Sequence, residues 1–226
     1  MSSPYKLDIF FQYIFKNSQI VYIVKEILKQ DNFQHFFPSI DKWDKIKSPA
    51  IYHKYKDTKV SKIAKIISFF ADPRLWGIVG VVFTIIGFIE QDFPHLITFV
   101  TGFFQAFIFY YVIKNLIKRE RPFKQIEGIE RLDKTGHGFS FPSGHCHHST
   151  ILVGLLWLSF YNNPWFIIIL LMYNVIVGFS RIVLGVHFIS DVIFGIILGY
   201  FSLFFHWFLT KNFYLLLNQI IVRILF

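Results

Sequence analysis

Long stretches without Asp, Glu, Lys or Arg alternate with short polar segments along the chain from about residue 66 onward. A membrane-spanning helix needs about 20 apolar residues, because each residue rises about 1.5 Å through about 30 Å of hydrocarbon. Charge-free runs therefore indicate where the chain crosses a bilayer. They predict five spans, which are residues 75–89, 93–113, 149–161, 165–179 and 192–210.

The first two runs differ in quality. Residues 75–89 are short for a span, and the apolar residues 66–71 lengthen it only across Asp72 and Arg74. The run 93–113 is ample and ends in aromatic residues, which favour the membrane interface. The second span is therefore predicted from its own length, whereas the first depends on how its helix begins.

A turn signal divides the longest charge-free stretch, residues 135–180. The sequence Asn-Asn-Pro at 162–164 combines residues that favour turns, so we expect a helical hairpin there. The last run ends at Lys211, and residues 211–226 form an apolar C-terminal tail. The pattern predicts an all-α fold, a polytopic transmembrane helical bundle.

The N-terminal region follows another pattern. Residues 7–28 are largely apolar, but charged residues interrupt them, and a central Lys costs about 2.5–3.5 kcal/mol on insertion. We favour an interfacial amphipathic helix there, with a sixth span as the alternative. Residues 31–65 are polar and Lys-rich, which predicts a soluble arm or surface helix. The chain thus divides into 1–65, a transmembrane domain over 66–210, and the tail.

Composition agrees with a membrane protein. Of the 226 residues, 54% are hydrophobic, 16% are charged and 30 are Phe, whereas a soluble domain is about 25% charged. This balance argues against a disordered chain, a coiled coil and a nucleic-acid-binding module. The net charge of +9 lies in a chain with few charges, so the positive residues must be concentrated. The single Cys146 excludes an internal disulfide.

A basic cluster, residues 114–122, directly follows the second run. If the helix continues, Lys114 and Arg121 lie within about 20° on one face, with Lys118 nearby. Pro122 would end that helix, because proline cannot donate the next backbone hydrogen bond. The cluster therefore predicts either a cationic site or an interfacial anchor for lipid headgroups.

A second cluster, Phe-Pro-Ser-Gly-His at 141–145, precedes the third run. Ser143 and Gly144 at a helix start leave backbone N–H groups free to meet an anion, which the helix dipole also favours. His145 follows in the first turn. The structural alternative is a helix-capping Ser143 beside an interfacial His. Neighbouring histidines and Asp133 leave a metal site as a further alternative, although no HExxH helix is present.

The third cluster, residues 180–191, lies between the last two runs. His187 and Asp191 are four residues apart, so on a helix Asp191 can accept a hydrogen bond from one imidazole nitrogen. This bond would fix the tautomer and leave the other nitrogen free to attack. A structural His–Asp pair is the alternative, but it does not explain the neighbouring Arg181.

A hairpin path through the membrane brings all three clusters to one membrane face. Lys114, Arg121 and Arg181 would then surround a phosphate, whose oxygens suit cationic and guanidinium donors. The two histidines supply what phosphoryl transfer still needs. One attacks phosphorus, and the other protonates the departing oxygen.

In this order, the three clusters resemble the three-part signature of the type 2 phosphatidic acid phosphatase superfamily. The matching residues are Lys114-x6-Arg121-Pro122, then Pro142-Ser143-Gly144-His145, then Ser180-Arg181-x5-His187-x3-Asp191. This superfamily includes integral membrane lipid phosphatases and soluble vanadium haloperoxidases. Three motifs in the right order are stronger evidence than any one of them.

The resemblance implies a role for each residue. His187 is the nucleophile that forms a phosphohistidine, and Asp191 orients it. His145 is the general acid for the leaving group and then the general base for water. The resemblance implies neither a cofactor nor a metal. The residues that it assigns to the phosphoryl oxygens are Lys114, Arg121, Arg181, Ser143 and the Gly144 amide.

The resemblance also implies an activity, hydrolysis of a phosphate monoester or diphosphate on a lipid. The expected partner is an anionic phospholipid or isoprenoid phosphate in the membrane, such as phosphatidylglycerol phosphate, phosphatidate, a polyprenyl diphosphate or lipid A. A phosphotransferase with the same intermediate and a catalytically silent lipid-binding protein are the alternatives. Haloperoxidase activity is disfavoured, because those relatives are soluble.

The small size resembles bacterial members, which implies the inner membrane. Family members generally place the site outside the cytoplasm, so we expect it to face the periplasm. The positive-inside rule gives the opposite answer, because the short segments on the site side hold many Lys and Arg residues. Both orientations therefore stay open, with the extracytoplasmic one expected.

Overall fold

The structure is a computed structural model that describes residues 32–90, 93–135, 138–158 and 165–225. Its regular secondary structure in these ranges is helical throughout, which confirms the predicted all-α class. The segment 7–28, expected to be an amphipathic helix or a sixth span, lies outside the described residues. So does the predicted turn at 162–164.

The described ranges hold ten α-helices and one π-helical turn. The helices before the site are α1 (Asn32–Phe36), α2 (Pro38–Tyr55), α3 (Lys59–Phe70), α4 (Pro73–Ile89) and α5 (Phe93–Ile117). The helices from the site onward are α6 (Pro122–Gln125), α7 (Gly144–Leu156), α8 (Trp165–Val183), α9 (Ile189–Phe205) and α10 (Lys211–Leu225). The π-helical turn, His206–Thr210, joins α9 to α10.

Two stretches of the described chain are long and apolar enough to cross a membrane, Leu96–Gln125 and Ile189–Ile220. A third is the pair Lys59–Leu75 and Gly77–Ile89, which bends by 48°. The structure thus supports a membrane protein, while the number of five spans stays a prediction. Large apolar side chains cover the outer helix faces, as expected for contact with lipid, and Phe88, Phe104, Phe179 and Phe204 are examples.

Helix α7 lies at the centre of the bundle, packed against α9, α5, α8 and α4. In lipid, helices associate mainly through close packing, which small residues permit. Gly195 of α9 is such a position, because a Cβ there would lie 2.7 Å from the Ser143 carbonyl oxygen. Gly199 is another, since its Cβ would lie 2.7 Å from the Cβ of Thr150. The two helices that carry the second and third clusters therefore touch along their backbones.

The polar arm is helical, but its inner face is not a solvated surface. Helix α2 packs against α8 and α9 and buries Asp41, Asp44 and Ser48. Carboxylates are seldom buried unless they are paired, so this face must meet cations or hydrogen-bond donors. The arm therefore forms part of the interior beside the site.

The prediction of one continuous helix over residues 114–121 is wrong. Helix α5 ends at Ile117, and Lys118 has a positive φ of 50°, which turns the chain out of the helix. Pro122 opens α6 rather than ending α5, a position where its missing N–H costs nothing. The run predicted to end at Lys211 also continues, through the π-helical turn into α10, with the Lys211 ammonium 3.5 Å from the Trp207 ring centroid.

Candidate active site

The three clusters meet around a cavity of about 280 Å³. Six of the eight predicted site residues line it, namely Lys114, Arg121, Gly144, His145, Arg181 and His187. Ser143 and Asp191 lie behind this wall, each with no exposed surface. The predicted convergence of the clusters is therefore present in the fold, although it does not bring every predicted side chain to the cavity.

His187 lies in the loop between α8 and α9 and is 2% exposed. Its Nε2 is 3.2 Å from Nη1 of Arg121, and its Nδ1 is 3.5 Å from Oδ2 of Asp191. The second distance exceeds a normal hydrogen bond, so Asp191 lies beside the ring without bonding it. Burial, followed by the neighbouring Arg121, Arg181 and Lys114 charges, holds the pKa of His187 well below its usual value. The imidazole is thus neutral at pH 7, with a lone pair for attack.

Asp191 is not on the same helix as His187, because α9 begins between them at Ile189. It is the third residue of α9, where its Oδ2 accepts a 2.9 Å hydrogen bond from the N–H of Phe188. A carboxylate at this position caps the helix and is favoured by the helix dipole. The cap fixes Asp191, so the same carboxylate can face His187.

Arg121 is held by backbone carbonyls. Its guanidinium donates to the carbonyl oxygens of Gly138 at 3.0 Å, Phe139 at 3.0 Å and Val186 at 2.8 Å. These acceptors orient the side chain without the full negative charge of a carboxylate. Arg121 therefore retains positive charge for an anion in the cavity.

Arg181 is held by side chains. Its Nη1 donates to Asp133 and to the hydroxyl of Ser68, and its Nη2 donates to Thr135 at 3.1 Å. Burial raises the pKa of Asp133, but Arg181 and the Ser68 and Thr135 donors outweigh it, so the pKa lies below its usual value. Asp133 was weighed in the sequence only beside a metal site, and the structure makes it the anchor of a site arginine.

Tyr110 forms the wall between Lys114 and Gly144. The Lys114 ammonium lies 5.0 Å from the Tyr110 ring centroid, within the range of a cation–π contact. A Cβ on Gly144 would lie 2.6 Å from the Tyr110 hydroxyl, so a side chain does not fit without movement. Glycine therefore lets the start of α7 approach the cavity.

His145 lies in the first turn of α7 and is 6% exposed. Among the described residues, its Nε2 has no hydrogen-bond partner. Asp72 and Arg74 line the same cavity at the start of α4, where Arg74 donates to Asp72 from its backbone N–H at 2.8 Å and from its guanidinium. Sequence reasoning did not predict this wall. The signal that could have predicted it is a helix start at Asp72–Pro73, since Asp is a good N-cap and Pro suits the first turn.

Ser143 is the residue before α7, and its N–H donates to the carbonyl oxygen of Asp191 at 2.9 Å. Its side chain does not line the cavity. In the structure it joins the second cluster to the third through the backbone. Direct binding of phosphate by its hydroxyl stays a prediction.

The metal alternative has no cluster to support it in the ranges that the structure describes, where no group of three His, Cys, Asp or Glu side chains is arranged to hold a metal ion. His148 instead bonds the Gly144 carbonyl oxygen through Nδ1 at 2.7 Å, and His147 stacks on Tyr110. His137 lies outside the described residues. Independence of metal stays a prediction.

Sequence reasoning missed Arg119, which it counted among the charges of the site side. The structure buries Arg119 completely and pairs it with Asp41, Asp44 and Asp191. Its charge is therefore directed at the back of the nucleophile rather than at solvent. No local pattern distinguishes it from Arg121, two residues later.

Comparisons with known proteins bear on the family and the fold. The family model of the PAP2 superfamily matches residues 95–214. A curated relative, undecaprenyl-diphosphatase from Sulfolobus acidocaldarius, is 32% identical over 103 residues, which are 46% of this chain and 49% of the relative. The chain thus spans about half the length of that relative.

Two solved structures share the fold. The crystal structure of Aquifex aeolicus LpxE superposes with a TM-score of 0.57 at 21% identity, over 70% of this chain and 91% of that chain. A transmembrane PAP2 type phosphatidylglycerolphosphate phosphatase from Bacillus subtilis gives a TM-score of 0.59 at 21% identity, over 80% and 92%. At this identity the two structures bear on the fold alone.

Proposed function

The chain belongs to the PAP2 superfamily, the family whose signature its three motifs resemble, and we propose that it is a membrane lipid phosphatase. It hydrolyses a phosphate monoester or diphosphate of a lipid through a phosphohistidine on His187. The observation that carries this proposal is one cavity lined by both histidines and by the three predicted cations Lys114, Arg121 and Arg181. A neutral imidazole backed by a carboxylate is a nucleophile, and the cations match the oxygens of a phosphoryl group.

In the first step, the Nε2 lone pair of His187 attacks phosphorus, and the bond from phosphorus to the leaving oxygen breaks. Burial and the Arg181 charge hold the pKa of His145 well below its usual value, so the negative charge of the bound phosphate has to favour its protonated form. Protonated His145 then gives its proton to that oxygen, which leaves as an alcohol or a phosphate. Arg121, Arg181 and Lys114 hold the remaining phosphoryl oxygens. Asp191 stabilises the positive charge that develops on the His187 ring.

In the second step, His145 removes a proton from water, and the resulting hydroxide attacks the phosphohistidine. The bond from phosphorus to Nε2 breaks, inorganic phosphate leaves, and His187 becomes neutral again. His145 is protonated for the next turnover. Transfer to another acceptor would use the same intermediate, so the hydrolase differs from a phosphotransferase only in what attacks.

A lipid substrate fits the surroundings of the cavity. An apolar cleft of about 620 Å³ shares Asp72, Arg74 and Thr135 with the phosphate cavity. Phe69 and Ile78 line this cleft. We place the first apolar atoms of the substrate there, with its phosphate in the cavity.

We propose a polyprenyl diphosphate as the first substrate to test, because the curated relative is an undecaprenyl-diphosphatase. Phosphatidylglycerol phosphate is the second, as one of the lipids that the motif resemblance implies. Phosphatidate and lipid A complete the set. All four carry a tetrahedral phosphate on an apolar anchor.

The test is phosphate release by the detergent-purified protein from these four lipids, with and without a chelator. We expect release from at least one lipid, insensitivity to the chelator, and its loss in His187→Ala. His35→Ala, at an exposed histidine, is the matched control. Retained release by His187→Ala would contradict the nucleophile, and release abolished by the chelator would restore the metal alternative.

A further inference from the structure

Arg119 is a completely buried cation behind the active site. Its Cζ lies 3.7 Å from the ring centroid of Phe33 and 3.9 Å from that of Phe188, so the guanidinium is sandwiched between two aromatic rings. Its Nη1 donates to Asp191 at 2.8 Å and to Asp44 at 2.9 Å. Aromatic stacking and bidentate bonding are the uses for which Arg, rather than Lys, is suited.

Asp44 of α2 contacts the same groups that position Asp191. Its Oδ1 accepts from the backbone N–H of Ser190 at 3.1 Å, and its Oδ2 accepts from the Ser190 hydroxyl and from Arg119. Ser48, one turn later, accepts from the N–H of Ile189 at 3.1 Å. The first N–H groups of a helix have no acceptor within it, and α2 supplies acceptors for two of those of α9, Ile189 and Ser190.

These acceptors lie outside the part of the chain that the family model matches. The match covers residues 95–214, whereas α2 is Pro38–Tyr55. The spacing that defines the three motifs does not involve α2. The arm therefore adds a contact to the back of the nucleophile that the motifs do not specify.

The charges around this network are unequal. Three carboxylates, those of Asp41, Asp44 and Asp191, face the cations of Arg119 and Lys45, whose ammonium lies 2.6 Å from Asp41. Burial raises the pKa of Asp44, while the Ser190 donors and Arg119 favour its charged form. With all three carboxylates ionised, one negative charge is left over behind His187. On the cavity side of the same ring, the ionisable groups that line the cavity are Asp72, Arg74, Tyr110, Lys114, Arg121, Arg181 and His145.

We propose that Asp44 is a positioning residue for phosphoryl transfer: through Arg119 and Ser190 it holds Asp191 behind Nδ1 of His187. Asp44 and Asp191 both accept from Arg119, so Asp44 neutralises part of the Arg119 charge. Asp191 then retains enough negative charge to stabilise the imidazolium that forms during attack. This inference rests on the proposed phosphohistidine chemistry. It adds a residue that does not touch the substrate and acts on the nucleophile through two neighbours.

The test compares Asp44→Asn with Asp57→Asn, the same change at a side chain that is 86% exposed. The substrates are farnesyl diphosphate and dioleoyl phosphatidate in detergent micelles, with kcat, KM and the pH profile of kcat/KM as readouts. We expect Asp44→Asn to lower kcat by about 10- to 100-fold with KM within about twofold. The reason is that the nucleophile is misplaced while the phosphate cradle, the cations Lys114, Arg121 and Arg181, is intact. The acidic limb of kcat/KM should move to lower pH, since the ring loses a nearby negative charge.

A purely structural role for Asp44 would reduce the yield and Tm of the protein without moving that limb, and this result would overturn the proposal. So would a kcat for Asp44→Asn within twofold of Asp57→Asn when His187→Ala is inactive, an outcome that leaves the proposed function intact. Activity retained by His187→Ala would instead contradict the proposed function. Should Asp44→Asn not be recovered folded, Ser190→Ala removes the hydroxyl that bonds Asp44 without changing the charge, and an unchanged kcat in that variant would overturn the proposal.

Discussion

The contact between Gly144 and Tyr110 allows a sharp test of how the cavity is built. In Gly144→Ala the new Cβ would lie 2.6 Å from the Tyr110 hydroxyl and 3.1 Å from Cζ. An ordinary contact is at least about 3.4 Å, so the ring must move by most of an ångström or the start of α7 must retreat. Overpacking of this kind costs about 1–3 kcal/mol.

The same movement should impair catalysis. Tyr110 lies under the Lys114 ammonium, so a displaced ring also displaces a cation of the phosphate cradle. A misplacement approaching 1 Å costs up to about 100-fold in rate, and we expect kcat/KM to fall by about 10- to 100-fold. The assays are phosphate release in detergent and the Tm of the purified variant.

Two further variants make the reasoning refutable. Tyr110→Phe removes the atom at 2.6 Å, so the double variant Gly144→Ala/Tyr110→Phe should recover part of the Tm and kcat/KM lost in the single one. Gly77→Ala is the matched control, because a Cβ there meets nothing within 4 Å. Wild-type activity in Gly144→Ala, or a loss that Tyr110→Phe does not relieve, would show that the proposed collision does not limit the site.

Three other outcomes are expected. Because the pKa of His187 lies well below its usual value of about 6.5, the neutral nucleophile persists at mildly acidic pH, and the acidic limb of kcat/KM should have its midpoint below about 6.5; a midpoint above that value would contradict the assignment. Asp133→Asn removes the carboxylate that orients Arg181, so KM should rise by at least about tenfold, and an unchanged KM would refute that role. Because the pKa of Asp133 is lowered in the folded protein, its contribution to stability is present above about pH 4 and is lost as the pH falls further. If the site faces outward, an impermeant maleimide should label Lys124→Cys but not Glu90→Cys in intact cells, and the reverse labelling would place the site in the cytoplasm.

The sequence was sufficient to predict most of the residues that line the cavity. Lys114, His145 and His187 belong to short motifs whose chemistry is visible in the residue types, and a hairpin path through the membrane brings such motifs to one face. The number of spans was harder to predict, because the bend between α3 and α4 depends on how the two helices pack. The all-α class follows from hydropathy alone.

The supporting residues could not be predicted in the same way. Arg119 and Arg121 are two residues apart and carry the same charge, and the turn at Lys118 decides which contacts carboxylates and which contacts the cavity. Asp44 lies far from Arg119 in sequence, on a helix whose composition indicates only a polar surface. Such pairings arise from tertiary packing, and a single sequence carries no local signal for them.

The two site arginines are anchored in different ways, and this difference bears on how the site tolerates change over evolution. Arg121 rests on the carbonyl oxygens of residues 138, 139 and 186, which every residue type supplies, although the positive φ of Gly138, 67°, favours glycine at that one position. Arg181 depends on hydroxyls and a carboxylate, so each substitution among its neighbours alters its orientation. Substitutions in the neighbouring sequence should therefore leave Arg121 in place, whereas they can change the orientation of Arg181. The surroundings of Arg181 are thus the part of the cradle where substrate preference is free to diverge.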